Sequence, residues 1–335
     1  MTKVSVIGAG SWGTALAVLL DKNGCQVTLW SHRASQIDLM KQEKKSDKLK
    51  DVTLPDSLLF STDLGACASN ADLILMAVPS KATRSTAEAM KDFVKPGTVV
   101  VTVTKGIEED TLMTQTEILE QILGDSVKVA VLSGPSHAEE VVVFKPTLVV
   151  AGASDKETAQ FVQNLFMNEY FRVYTSSDVK GIEVGAALKN VIALAAGMSD
   201  GLGFGDNAKA ALITRGIKEI SSLAVAMGGQ AQTLAGLTGV GDLIVTCASV
   251  HSRNRLAGFY MGQGLSRQEA MDRVSMIVEG VYSAKAALRL SEEYNIDMPI
   301  VYAVNQVLFN DLSAADAVHE LMTRSKKDES SFIGW

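Results

Sequence analysis

Short apolar runs alternate with amphipathic stretches in the first half of this chain, and helical patterns take over in the second. Residues 3–7 and 25–30 are strand-length apolar runs, separated by a helical pattern over 14–23 that Gly24 stops. Further apolar runs fall at 71–78, 98–103, 127–132, 147–151 and 171–175, with helical periodicity over 82–93, 110–123 and 156–167 between them. Alternation of this kind predicts an α/β unit, a doubly wound and mostly parallel sheet covered on both faces. Ser176-Ser177-Asp178 leads out of it, so residues 1–178 form one expected domain and 179–335 a second, all-helical one. Helices are expected there at 183–197, 208–227, 265–274, 284–294, 299–309 and 314–321. The charged stretch 41–50 reads as a solvated surface loop, with a flap near a bound cofactor as the lesser alternative, and the polar tail 323–335 as mobile at its end.

The 183–197 helix is apolar almost all round, which places it at the centre of a domain. It falls short of the roughly 20 apolar residues that cross a bilayer. It nevertheless carries Glu183, Lys189 and Asn190. A buried lysine needs a partner or loses its proton. Gly185, Ala186 and Ala193 lie on the same face as Lys189, so a cleft can open above its ammonium. The bland alternative is a lysine snorkelling at a domain boundary.

Between the first strand and helix stands Gly8-Ala-Gly10-Ser11-Trp12-Gly13. In that context the glycines read as a dinucleotide-binding turn of Rossmann type. Gly8 makes the tight turn, Gly10 lets a pyrophosphate approach, and Gly13 allows close helix packing. At the end of the second strand, where an acid would hold the ribose of NAD, the chain reads Ser31-His32-Arg33. A guanidinium there suits a 2′-phosphate, so NADP(H) is favoured and NAD(H) remains open. Ligands of such sheets bind at the carboxyl ends of the strands, which nominates Ser80, Lys105, Gly134 and Ser136. In the second half, Asp242 follows a Gly-x-Gly turn and precedes an apolar run, a position where it could hold a hydroxyl or pair with a lysine. Ser252-Arg253-Asn254 offers a hydroxyl, a guanidinium and an amide at a helix start, a grip suited to phosphate.

Composition narrows the field. A net charge of −7 over 335 residues argues against bulk attraction to nucleic acid or anionic lipid. The three cysteines and four histidines show neither metal spacing nor a disulfide framework, so no metal is expected and a reducing cytoplasm is. No signal-peptide pattern or stable membrane anchor is evident. Cys247 has no base among its sequence neighbours and reads as a packed thiol.

Taken in order, Gly8-Ala-Gly-Ser-Trp-Gly13, Val78-Pro-Ser80, Thr104-Lys-Gly-Ile107, Ser133-Gly-Pro-Ser136, Ala187-Leu-Lys-Asn190, Gly239-Val-Gly-Asp242 and Ser252-Arg-Asn-Arg255 resemble the soluble NAD(P)-dependent glycerol-3-phosphate dehydrogenases, over nearly the whole chain. The Ser-Trp pair and His32-Arg33 are similar to the bacterial branch. His137 departs from the family, where an aromatic residue is frequent, and no function is read into it. The resemblance implies reversible reduction of dihydroxyacetone phosphate to sn-glycerol 3-phosphate, supplying phospholipid synthesis. It implies a catalytic set of Lys189, Lys105, Asp242 and Asn190, with Lys189 as acid and, in reverse, as base. Gly134, Ser136, Ser252, Arg253 and Asn254 would line the substrate site with Lys105, Lys189 and Asp242. Ser11, Trp12, His32, Arg33, Lys105, Ala138, Arg253, Ile277 and Glu279 would contact the cofactor beside the turn glycines, and a homodimer is expected. Two rivals stand against it. One is a related two-domain hydroxy-acid dehydrogenase, which does not require Ser252-Arg253-Asn254 with Asp242. The other is a non-catalytic NADP sensor, which would have no use for Lys189.

Overall fold

The computed structural model describes residues 1–274 and 276–329, so the end of the polar tail lies outside the described residues. Among the described residues ten strands occur: β1 (Lys3–Ile7), β2 (Gln26–Trp30), β3 (Lys45–Ser46), β4 (Leu49–Thr53), β5 (Leu59–Ser61), β6 (Leu73–Met76), β7 (Val99–Thr102), β8 (Lys128–Ser133), β9 (Thr147–Ala153) and β10 (Phe171–Ser176). Eight form one sheet in the order β10-β9-β8-β7-β6-β1-β2-β5. β1 pairs in parallel with both β2 and β6, so strand order reverses beside it and a crevice opens at its carboxyl end. Within this sheet only the β8–β9 pairing is antiparallel, so β9 and β10, parallel to each other, run against the other six strands. The link between β8 and β9 holds only the one-turn helix Ala138–Val141, whereas a parallel crossover normally carries a full helix. The fold is thus a mostly parallel Rossmann-like sheet followed by helices.

The charged stretch 41–50 is not a simple loop. Its first residues finish the helix Ala34–Glu43, and the rest enters the antiparallel hairpin of β3 and β4. Neither strand carries a clean alternation, so periodicity did not reveal them. The helix expected over 110–123 begins only at Gln115, where Thr114 and Glu117 form a reciprocal capping box.

The central helix runs from Val179 to Gly201, well beyond 183–197. Asp178 caps it, its carboxylate accepting from Gly181 N at 2.9 Å. At 23 residues it is long and apolar enough to cross a membrane, contrary to the expectation from its core segment, yet it lies almost wholly inside the protein. It packs against the helix Arg253–Gly262 so closely that a Cβ on Gly258 would strike the Leu194 carbonyl. Glu183 joins the two halves of the molecule. Its buried carboxyl accepts from Thr116 N at 2.9 Å and from Thr116 Oγ1, at the start of the helix Gln115–Leu123. Burial raises the Glu183 pKa above the ordinary carboxyl value.

Candidate active site

Lys105 follows the carboxyl end of β7, where the Thr104 hydroxyl pins the turn by donating to Val78 O at 2.8 Å. Its Nζ donates to Gly134 O at 3.1 Å and to Asp242 Oδ2 at 2.6 Å. Lys189 arrives from the central helix and meets the other oxygen, Asp242 Oδ1, at 2.8 Å. One carboxylate therefore bridges two ammoniums from opposite halves of the chain. Asp242 is 2% exposed and Lys189 5%. Asp242 opens the helix Asp242–Ala248 after the π-helical turn Leu237–Gly241. A carboxylate is favoured at that helix start.

Burial dominates the proton affinity of Lys189. It outweighs the attraction of Asp242, and with repulsion from Lys105 it brings the pKa down to about 8. Burial would raise Asp242, but the Lys105 and Lys189 ammoniums hold it below the usual carboxylate value. Such a lysine can give up or take a proton near neutrality. Thr246 completes its setting: Thr246 Oγ1 accepts from Lys189 Nζ at 2.6 Å and donates to Asp242 O at 2.6 Å. Sequence reasoning missed Thr246, although it stands four residues after Asp242 and hence on the same helix face. Cys247 beside it is buried and its thiol is pushed up to about 12, which leaves it unreactive.

Ser136 folds back onto the same carbonyl as Lys105, donating to Gly134 O at 2.9 Å. Ser252 caps the helix Arg253–Gly262 by accepting from Arg255 N at 3.2 Å. Arg253 is half-buried and has no ion-pair partner among the described residues. Asn254 and Asn190 bond to each other, Asn254 Nδ2 to Asn190 Oδ1 at 2.9 Å, while Asn254 Oδ1 accepts from Gly280 N at 2.8 Å. The Asn254 amide is thus largely engaged by protein, a pairing that spacing could not reveal. Glu279 stands one residue earlier. Its carboxyl crosses to the half of the chain that carries the sheet, accepting from Ser80 N at 3.2 Å and Ser80 Oγ at 2.5 Å. Burial raises its pKa. Ile277 lies in the segment leading into the helix Glu279–Glu293, and Ala138 opens the helix Ala138–Val141.

The glycine turn sits at the carboxyl end of β1. Gly8 has φ +121°, and a Cβ there would lie 2.6 Å from Ala77 O. A Cβ on Gly13 would strike the Gly8 carbonyl. Gly10 instead faces open space and caps the helix Ser11–Lys22 with no side-chain partner for its first N–H groups. Free N–H groups at a helix start beside open space fit a dinucleotide pyrophosphate. Ser11 and Trp12 begin that helix. At the end of β2, His32 is exposed with its ring 6.3 Å from that of Trp30. Arg33 Nη2 donates to Gln36 Oε1 at 3.1 Å.

Residues 3–159 match the NAD-dependent glycerol-3-phosphate dehydrogenase N-terminus and residues 178–319 the corresponding C-terminus. The chain is 58% identical to a glycerol-3-phosphate dehydrogenase, NAD(P)+ by name, from Agathobacter rectalis, over the full length of both. It is 50% identical to the Bacillus subtilis protein of the same name, over 98% of this chain and 96% of that one. A crystal structure of glycerol-3-phosphate dehydrogenase from Coxiella burnetii superposes with a TM-score of 0.93 at 36% identity, covering 96% of this chain and 99% of that one. With both halves matched and relatives above half identity along its whole length, this chain belongs to the NAD-dependent glycerol-3-phosphate dehydrogenase family.

Proposed function

We propose that the protein reduces dihydroxyacetone phosphate to sn-glycerol 3-phosphate, reversibly, with NADPH preferred over NADH. The observation that carries this reading is the Asp242 carboxylate held between Lys105 and Lys189 at 2.6 and 2.8 Å. The reduced nicotinamide, when bound, supplies the hydride to the carbonyl carbon. Lys189 stabilises the negative charge that then grows on the substrate oxygen and delivers the proton to it. Asp242 and Thr246 hold the Lys189 ammonium in place. Lys105, fixed between Asp242 and Gly134 O, orients the substrate. Asn190 braces the catalytic helix through Asn254. Ser252 and Arg253, with Gly134 and Ser136, surround the substrate phosphate, and that remote grip supports the chemical step.

The glycine turn with Ser11 and Trp12 takes the pyrophosphate, and His32 and Arg33 take the adenosine end. Ala138, Ile277, Glu279 and Arg253 close over the nicotinamide end. Residues 1–178 serve as the nucleotide domain and 179–335 as the catalytic domain. The protein works in the cytoplasm as a homodimer without a membrane anchor, and its product feeds phospholipid synthesis.

The test is oxidation of NADPH with dihydroxyacetone phosphate, run beside the unphosphorylated ketone. Wild type turns over the phosphorylated ketone far faster. Lys189→Ala loses at least ~100-fold in kcat, the scale of removing a general acid, while NADPH still binds. Near-normal turnover in that variant would overturn the assignment.

A further inference from the structure

The cofactor reading above rests on Arg33 and on the lack of an acid at the end of β2. The fold brings an acid to the same place by another route. Gln36, on the first turns of the helix Ala34–Glu43, is 6% exposed, and all four hydrogen-bonding positions of its amide are filled. Gln36 Nε2 donates to Ala9 O in the glycine turn at 2.8 Å and to Asp47 Oδ1 at 3.0 Å. Gln36 Oε1 accepts from Ser31 Oγ at 2.8 Å and from Arg33 Nη2 at 3.1 Å. The amide cannot be reversed, because its oxygen would then face a carbonyl and a carboxylate. One side chain therefore ties together the glycine turn, the end of β2 and the β3–β4 hairpin, from which Asp47 comes. It also holds a guanidinium and a carboxylate at opposite ends of a single amide group.

We propose that Gln36 is a positioning residue for cofactor choice and that Asp47 is a specificity determinant opposing Arg33. Arg33 attracts a 2′-phosphate. Asp47 repels it and can accept from an unphosphorylated ribose 2′-hydroxyl, the task an acid performs at this point of a dinucleotide fold. Lys48 lies 3.0 Å from the other Asp47 oxygen and offsets the repulsion in part. The site thus carries a determinant for each coenzyme, and Gln36 sets the distance between them. The proposal deepens the NADP(H) reading and depends on it.

Titration calorimetry of NADPH, NADH and adenosine 2′,5′-bisphosphate tests it on the full-length protein without substrate. Asp47→Asn tightens NADPH and the bisphosphate by about three- to five-fold at low ionic strength, and weakens NADH. The gain shrinks at about 0.5 M salt, because a partly exposed charge is screened. Gln36→Met, close in length and able to stay buried, frees Arg33 and the hairpin together. Both coenzymes then bind more weakly, and the ratio of their Kd values moves toward one. An unchanged ratio in Asp47→Asn overturns the proposal even if Gln36→Met fails to fold. Arg33→Ala separates the role of Arg33 from that of Asp47. If it weakens NADPH by about ten-fold while Asp47→Asn changes nothing, the Arg33 reading survives and the Gln36–Asp47 proposal falls. If Arg33→Ala also changes nothing, the NADP(H) reading falls with it.

Discussion

Replacing Asp242 by Asn keeps the shape of the site and removes the charge that two ammoniums share. Asp242 Oδ1 stands 2.8 Å from Lys189 Nζ. At that distance an effective dielectric of ~20 gives an attraction of about 6 kcal/mol. The asparagine oxygen still accepts a hydrogen bond and water can enter the gap. Together these restore roughly half of the attraction, leaving ~3 kcal/mol, or about 2 pKa units. Lys189 starts from about 8, so the variant lysine titrates near ~6. Its ammonium fraction at about pH 7 falls from roughly nine-tenths to roughly one-tenth. Ketone reduction, which needs the ammonium, slows about ten-fold at that pH from protonation alone, and the loss shrinks as the pH is lowered toward ~5. The assay is kcat for NADPH oxidation with dihydroxyacetone phosphate across the pH range, with the reverse reaction measured beside it. The reasoning is refuted if Asp242→Asn loses rate uniformly while its profile still breaks near 8, or if the break moves upward.

Two further outcomes follow from buried polar groups. Thr246→Val leaves one Lys189 N–H without its 2.6 Å acceptor. It should lower kcat about ten-fold, the cost of one unpaired buried donor, with KM for the ketone nearly unchanged; a change confined to KM would contradict this. Glu219 caps the helix Pro299–Phe309, accepting from Ile300 N at 2.9 Å and Val301 N at 3.2 Å, and burial raises its pKa to about 7. A raised folded-state pKa means this group's contribution is whole below its ordinary value of 4.5 and is lost as the pH rises through about 7, by up to ~3 kcal/mol. Urea unfolding should show that decline between those pH values, and Glu219→Gln should flatten it.

The glycine turn, the alternation of apolar runs with helices, and the isolated lysine of the 183–197 segment could all be read along the chain, because each is a local pattern. Lys105 could be nominated because a strand stops just before it. Partnerships were harder. The place of Asp242 after a Gly-x-Gly turn allows a hydroxyl or a lysine as its partner, but nothing near it in sequence says that its two oxygens meet two lysines at once, 53 and 137 residues away at positions 189 and 105. Asn254 could be placed at a helix start, but its engagement with Asn190 and Gly280 depends on which helices cross. The hairpin of β3 and β4 was invisible for a different reason. Its strands are short and rich in charge, so neither periodicity nor apolar content marks them. Asp47 sits in that hairpin and reaches the end of β2 only through Gln36, a link that no local pattern marks.

The burial of Lys189 and its chemistry are the same fact seen from two sides. A helix apolar almost all round is what the domain needs at its centre, and such surroundings strip a lysine of its proton. Asp242 counters this from the start of its own helix, where the preceding π-helical turn sets the carboxylate facing both lysines. Lys105 then acts on the pair in two ways, drawing on Asp242 and repelling Lys189. Burial alone would leave Lys189 neutral and unable to donate. A fully compensated ion pair would leave it charged and unable to accept. A pKa of about 8 falls between these limits, within reach of either protonation state. An arginine in its place would remain charged throughout and could serve neither direction. The apolar helix is thus the element that tunes the proposed acid, and the two flanking charges determine how far the tuning goes.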